Sequence, residues 1–350
     1  MNIVAYSSSG VGSSALYELR IGLPFRELQQ HGHEVDVYSR TELDAERLHT
    51  AWARWMATQG PDIQVIQRNV YTLAAQPEAY DQMHDMGSKL VYEIDDDPTD
   101  QYRDLGYGDW IGEFMTVADA AIVSTPYLAK LMKQTYNKPV HVCFSHLNTK
   151  EFARVSLRVP RAITDKIVIG LAGSLTHWAD WAVVVDALHK LKVTHGDRIA
   201  LVCAGYRPGY FKSLDMFQLR PVEYKLFPGI MKQFDIVLAP LDRSDQFNLS
   251  KSGIRALESM AAERPLPNGQ MGGAIPVCTD LPMYRRYVNK STGVLVKDDA
   301  DWYDELVRLV DDKVLRQNLS RAGLKWVQKN CDIKQGYRQW VTAYTNIARG

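Results

Sequence analysis

Apolar positions along the chain gather into short β-branched runs spaced by stretches of helical period. NIVAY (2–6), EVDVY (34–38), DIQVIQ (62–67), KLVYEI (89–94), AAIVS (120–124) and PVHVCF (139–144) read as strands. An amphipathic helix runs from about Ser13 to Gln30 and stops at Gly32, and further helical stretches lie around 43–58 and 126–135. Continuous apolar runs separated by helices predict a parallel sheet covered on both faces. Residues 148–165 show no clear period and read as a linker. The pattern then restarts with strands at KIVIGLAG (166–173), RIALVCAG (198–205), DIVLAP (235–240), AIPVC (274–278) and GVLV (293–296), with helices at 178–193, 251–262 and 300–330. The chain closes on a helix whose Tyr337, Trp340, Tyr344 and Ile347 stand at i, i+3, i+7 and i+10, one apolar face. No internal repeat is visible.

This pattern predicts an α/β protein of two Rossmann-like domains facing a central cleft. The first spans 1–147, the linker is 148–165, and the second domain spans 166–330, followed by the helix over 331–350. A chain of 350 residues exceeds the size at which one core keeps growing. Open parallel sheets hold ligands at the carboxyl ends of their strands, so two facing sheets suit two substrates. Fold alone does not decide the chemistry.

Composition narrows the classes. Hydrophobic residues make up 46% and charged residues 23%, ordinary for a globular chain. Lys plus Arg and Asp plus Glu are 41 each, which gives no global pull toward nucleic acid or anionic membrane. Cys143, Cys203, Cys278 and Cys331 are far apart with no CxxC pair, so buried free thiols in a reducing compartment are expected rather than a zinc site. The N-terminus has no signal-peptide pattern, and no window approaches the ~18 apolar residues of a spanning helix. A soluble cytoplasmic protein is expected.

Four segments carry candidate chemistry. The loop Ser7–Ser14 places Ser9, Gly10 and Gly12 between the first strand and helix, where backbone N–H groups can approach a phosphate. Ala15 stands where the third glycine of GxGxxG would be, and the GK[ST] ending of a P-loop is missing, so a plain strand-to-helix turn with a serine cap fits equally. VYEIDDDP ends a strand in Asp95, Asp96 and Asp97; alternation points Asp95 and Asp97 one way and Asp96 the other. Such a group can orient an acceptor hydroxyl, act as a base or hold magnesium, or it is a solvated acidic turn. The cost of clustering like charges favours a use.

In PLDRSDQFNLSKSGIRALESMAA (240–262), Ile254, Leu257 and Ala261 form the apolar stripe of a helix, with Lys251, Arg255 and Glu258 at i, i+4 and i+7 on another face. At ~1.5 Å per residue, Lys251 and Glu258 stand about 10 Å apart, the span from a diphosphate to a ribose. Lys251 and the first-turn N–H groups can hold phosphates, and Glu258 can accept from both ribose hydroxyls; an ordinary surface helix has the same spacing. GLAGSLTHW (170–178) brings Gly173, Ser174 and His177 to a helix start. His177 there is a phosphate contact or a cap and packing residue.

Together these segments resemble retaining GT-B glycosyltransferases, near glycosyltransferase family 4, over nearly the whole chain and most clearly over 235–296. FRELQQHGHEVDVYSR resembles the family's leader helix and G-H-x-V opening. VYEIDDD, GLAGSLTH and FNLSKSGIRALESMAA resemble motifs of a bacterial and phage-type branch, AIPVCTDLPMYRR resembles the strand and turn that follow, and the C-terminal helix 331–350 resembles the one that crosses back onto the first domain in this fold. The resemblance implies that Glu258 binds ribose, that Lys251 meets the donor phosphates, and that Asn248, Ser250 and Ser252 sit beside it. It implies a nucleoside diphosphate sugar as co-substrate, a UDP-sugar in first preference, no obligatory metal or other cofactor, and retention at the anomeric carbon. Two departures stand out. Ser250 occupies the place of a glutamate that contacts the sugar in the wider family, and ERPLPNGQMGG (263–273) reads as an inserted loop at the cleft.

The expected function is therefore glycosyl transfer to an acceptor hydroxyl, with the Asp95–Asp97 group positioning the acceptor. The acceptor is a polysaccharide, a lipid-linked sugar, or, as in phage-type transferases, a hydroxymethylated base in DNA or a virion protein. An epimerase or phosphorylase on the same plan, and a non-catalytic nucleotide-sugar-binding protein, are the alternatives; Ser250 keeps the latter open. A NAD-dependent dehydrogenase is disfavoured, because Tyr38, Ser39 and Arg40 end the second strand where an acidic residue is needed.

Overall fold

The computed structural model describes residues 1–7, 9, 14–39, 60–68, 83–98, 108–157, 165–174 and 177–350. The expected helix at 43–58, and Gly10 and Gly12 of the first loop, lie outside the described residues. The chain divides into two compact units. One comprises Met1–His146, Leu249–Ser252 and Ile333–Gly350; the other comprises Leu147–Asn248 and Gly253–Asp332.

In the first unit, β1 (Asn2–Ser7), β2 (Glu34–Ser39), β3 (Ile63–Gln67), β4 (Lys89–Ile94), β5 (Ala120–Val123) and β6 (Val140–Val142) form one sheet in the order β2-β1-β3-β4-β5-β6. Every neighbouring pair is parallel. Both faces of this sheet carry an apolar core, which is why its central strands are apolar without alternation. On one face the helix Ile333–Arg349 lays down Tyr337, Trp340, Tyr344 and Ile347 against Ile3, Ile21 and Phe25, as the spacing of those side chains predicts.

In the second unit, β7 (Ile167–Gly173), β8 (Ile199–Gly205), β9 (Met216–Leu219), β10 (Ile236–Ala239), β13 (Ile275–Thr279) and β14 (Val294–Val296) pair in the order β14-β13-β10-β7-β8-β9, all parallel. β9 escapes the sequence pattern because it is a short edge strand whose Phe217 and Gln218 face water. The stretch read as an aperiodic linker contains a helix, Thr149–Arg154, capped by Asn148 and anchored by buried Phe152. One and a half turns are too few to display a period.

The inserted segment 263–273 is not at the carboxyl edge of its sheet. It folds as an antiparallel hairpin, β11 (Arg264–Pro265) with β12 (Met271–Gly272), that leads into the first residue of β13. The helix Ile254–Ala261 runs back along the sheet from β10, so the hairpin emerges at the amino edge, where Arg264 pairs with Asp235 just ahead of β10.

The returning helix shares the apolar cover of one face of the first sheet with Tyr17, Ile21, Phe25 and Leu28. Trp340→Ala is expected to lower unfolding stability by about 3–5 kcal/mol in urea titration, whereas Val314→Ala, 66% exposed, is expected to stay within about 0.5 kcal/mol.

Candidate functional site

At the carboxyl edge of the first sheet, β4 ends at Ile94 and Asp95 and Asp96 follow in a bend. Pleated alternation therefore stops before the acidic run. Asp95 and Asp96 do not face opposite ways but share one guanidinium, that of Arg68. Arg68 Nε and Nη2 donate to Asp95 Oδ1 at 3.0 and 2.6 Å, and Nη2 also donates to Asp96. Arg68 directly follows β3 with φ 50°. The Asp97 amide donates to the Ser250 hydroxyl at 3.0 Å. Burial pushes the Asp96 carboxyl above the ordinary range and Asp95 pushes the same way, while Arg68 and Lys251 pull it down. The repulsion that a three-aspartate run implies is thus offset by two cations, only one of which the sequence reading singled out.

The Ser250 contact also moves the start of the following helix. The Ser250 hydroxyl takes the Asp97 amide and its carbonyl takes the Thr125 hydroxyl at 3.3 Å, so Leu249–Ser252 packs with the first unit. The helix begins only at Ile254, after Gly253. Lys251 is consequently not on a helical face with Arg255 and Glu258, and the first-turn amides are not those of Ser250–Ser252. Lys251 lies instead within electrostatic reach of Asp96. Ser250 is fully buried and Ser252 half-buried.

Below the acidic bend runs a buried polar chain absent from the sequence reading. Arg20, on a π-helical turn Glu18–Gly22, donates to Glu93 Oε1 at 2.6 Å and stacks over Trp340 at 4.8 Å. Glu93 Oε2 accepts from Gln67 at 3.0 Å, and the Gln67 carbonyl oxygen accepts from the Ser7 hydroxyl at 2.5 Å. Ser9 joins through its amide, at 3.2 Å from Ser7 Oγ, while Ser14 caps the following helix. Burial pushes the Glu93 carboxyl up and Arg20 pulls it back. The available signal was a polar residue in the last two positions of each of β1, β3 and β4.

In the second unit, β7 and β8 end side by side at Gly173 and Gly205. Gly205 has φ 98°, and a Cβ there would strike the Gly173 carbonyl. A Cβ on Gly173 would stand 2.9 Å from the His177 ring. His177 Nδ1 pairs with Asp180 Oδ2 at 3.1 Å, and its ring stacks on Trp181. The other Asp180 oxygen accepts from Asn248 Nδ2 at 2.7 Å and from the Asp242 amide at 3.1 Å. Asp180 therefore joins two residues, His177 and Asn248, that the sequence proposes separately. Asn248 is fully buried, and its Nδ2 also donates to the Asp242 carbonyl at 3.0 Å.

Glu258, on the helix Ile254–Ala261, is 1% exposed. Its oxygens accept one bond each, from Tyr224 at 2.9 Å and from Arg255 at 2.7 Å. Burial pushes its carboxyl up; Arg255 and Tyr224 pull it down. Phe227 lies under the Arg255 guanidinium at 4.9 Å and stacks with Tyr224 at 5.9 Å. The same Phe227 lines a cavity of about 550 Å³ at the carboxyl ends of β7, β8 and β9, together with Gly173, Ser174, Gly205, Tyr206 and Arg220. Among the described residues no three His, Cys, Asp or Glu side chains converge as a metal-binding group, and no helix is long and apolar enough to cross a membrane.

Two units, each a six-stranded parallel sheet, with the last helix returned to the first, define the GT-B fold of glycosyltransferases. No family profile and no curated protein matches the chain. Among solved structures it superposes on HepE of Anabaena in complex with UDP and glucose, with TM-score 0.67, 11% identity, and coverage of 99% of this chain and 100% of that one. An alpha-glucosyltransferase in complex with UDP and a 13-mer DNA containing a HMU base gives TM-score 0.69 at 14% identity, covering 99% of each chain. Trehalose-6-phosphate synthase OtsA gives 0.65 at 12%, again over 99% of each. At these identities the likeness is one of fold.

Removing the Ser250 hydroxyl leaves the Asp97 amide without its acceptor in a buried place. Ser250→Ala is expected to lower stability by about 1–3 kcal/mol, measured by urea titration, and Ser252→Ala to change it by less than about 0.5 kcal/mol.

Proposed function

We propose that this protein is a glycosyltransferase that moves a sugar from a nucleoside diphosphate, UDP in first preference, to an acceptor hydroxyl. The observation that carries the reading is the cavity at the carboxyl edge of the second sheet, whose wall residue Phe227 packs directly on the two partners of Glu258. A volume of about 550 Å³ suits a flat heterocycle and its pentose. A carboxylate has about four acceptor sites, so Glu258 keeps capacity for ribose hydroxyls beyond its two present bonds, and one hydroxyl can take the place of Tyr224. The solved proteins of this fold that carry UDP support the donor class.

In this reading the bond from the anomeric carbon to the diphosphate oxygen breaks, the acceptor oxygen bonds that carbon, and the acceptor proton passes to the departing diphosphate. The family-4-like motifs favour retention. The motif resemblance gives Lys251 to the donor phosphates, His177 is a candidate phosphate contact of the second unit, and the Asp95–Asp97 group is the candidate for orienting the acceptor hydroxyl; positioning and charge stabilisation supply most of the rate. We place the protein in the cytoplasm, where its four buried, unpaired cysteines suit a reducing compartment. The acceptor is a saccharide hydroxyl in first preference. A hydroxymethylated base in DNA is the second reading, favoured by the fold likeness to the alpha-glucosyltransferase bound to DNA.

The test is thermal shift with UDP, GDP, ADP, dTDP and CMP on wild type and Glu258→Ala. A single diphosphate is expected to stabilise the wild type, by about 2.7 kcal/mol at a hundredfold excess over Kd, and to lose this effect in Glu258→Ala. No shift with any nucleotide sinks the donor site; a shift without sugar turnover on any acceptor leaves a binding protein.

The raised Glu258 carboxyl also sets a pH dependence. Only the ionised form accepts from two hydroxyls, so nucleotide affinity is expected to fall with falling pH through the raised folded value, earlier than for an ordinary glutamate. The empty protein responds in the opposite sense. Because the folded value lies above the unfolded one of about 4.3, Glu258 contributes stability below that pH and loses it as pH rises through the folded value. Titrating Kd for UDP and Tm between pH 4 and 8 in wild type and Glu258→Gln checks both slopes, which the substitution should flatten.

A further inference from the structure

The hairpin 263–273 has no part in the proposed transfer, yet it walls a second cavity, of about 600 Å³, at the amino edge of the second sheet. Ile167, Asp235 and Ile275 mark the amino ends of β7, β10 and β13 on its floor. At about 3.3 Å per residue, the length of β7 puts this cavity about 20 Å from Gly173 and the cavity beside Glu258.

The lining is cationic. Lys166, Lys232, Arg264, Lys313 and Arg316 face two carboxylates, Asp165 and Asp235. Asp235 is already occupied, by Arg264 at 2.6 Å and by the Val168 amide at 2.8 Å. Lys313 has no ion-pair partner among the described residues, and Lys166 has only the fully exposed Asp197 at 3.9 Å. Burial pulls the Lys232 ammonium and the Arg316 guanidinium below their ordinary values. Lys313, Arg316 and Gln317 lie on the first turn and a half of an 18-residue helix, whose positive end faces the same space.

Two lining side chains also carry an unpaired buried atom. Gln233, 8% exposed, donates its amide N–H groups to the Gly229 and Leu157 carbonyls and leaves Oε1 without a donor. Arg264 leaves Nε without an acceptor. An acceptor short of a donor and a donor short of an acceptor, in one cationic cavity, ask for a ligand that has both a hydroxyl and an anionic oxygen.

We propose that this cavity binds a small phosphorylated polyol or sugar, its phosphate on Lys313, Arg316 and the helix start and a hydroxyl on Gln233. The volume lies within the ordinary range for small-molecule sites, about 300–1,000 Å³. The site is separate from the Glu258 cavity, so its ligand adds to a bound nucleotide rather than displacing it.

The test is isothermal titration of the full chain with sorbitol 6-phosphate, inorganic phosphate and sorbitol. Sorbitol 6-phosphate is expected to bind more tightly than phosphate, and sorbitol not at all. Lys313→Gln, which breaks no existing bond, is expected to weaken binding about tenfold, the loss of one charged contact. Glu258→Ala and saturating UDP are expected to leave the affinity unchanged, which keeps this result independent of the donor site. Equal affinity for phosphate and sorbitol 6-phosphate overturns the hydroxyl contact. Absence of binding at millimolar concentration, an unchanged affinity in Lys313→Gln, or competition by UDP overturns the site.

Discussion

The contact between the Asp97 amide and the Ser250 hydroxyl shapes the candidate chemistry of this protein more than any other. It draws four residues, Leu249–Ser252, out of the second α/β series and packs them with the first. The Ser250 hydroxyl is then committed to the Asp97 amide and the Ser250 carbonyl to Thr125, and the helix starts only at Ile254. Lys251 thereby joins the aspartates at the end of β4, and Glu258 remains with the second sheet. A serine is small enough to be fully buried in that contact and still satisfy one buried amide. A glutamate at the same place would bring a charge into a position with no exposure.

The same logic of satisfaction governs both sheet edges. In the first unit, Arg68 holds Asp95 and Asp96 together, while the buried Arg20–Glu93–Gln67–Ser7 chain fixes the ends of β1, β3 and β4 beneath them. In the second, one carboxylate, Asp180, holds His177, Asn248 and the Asp242 backbone. These groups act mostly on one another. They give each edge a fixed charge arrangement before any ligand arrives, which is what positioning catalysis requires. The amino edge of the second sheet differs: there the cations outnumber their partners and polar atoms stay unpaired, the mark of a space built for something else.

Local pattern determined a good deal by itself. Strand runs, the Tyr337–Trp340–Tyr344–Ile347 face of the last helix, and two α/β series in tandem follow from periodicity, because burial on both faces of a parallel sheet writes itself as continuous apolar segments; the GT-B plan and the return of the last helix came from the motif resemblance. Motif spacing drew attention to Asp95–Asp97, His177 and Glu258. Tertiary structure alone decided what those residues touch. Arg68 is 27 residues from Asp95, Tyr224 is 34 from Glu258, and Asn248 is 68 from Asp180, and no local period encodes such pairings. The helix start at Ile254 and the hairpin's place at the amino edge belong to the same group. A helical pattern near 251 is real in the side chains, but the backbone there satisfies its hydrogen bonds elsewhere. Sequence periodicity reports which face is buried; only the folded chain decides which distant polar group meets which.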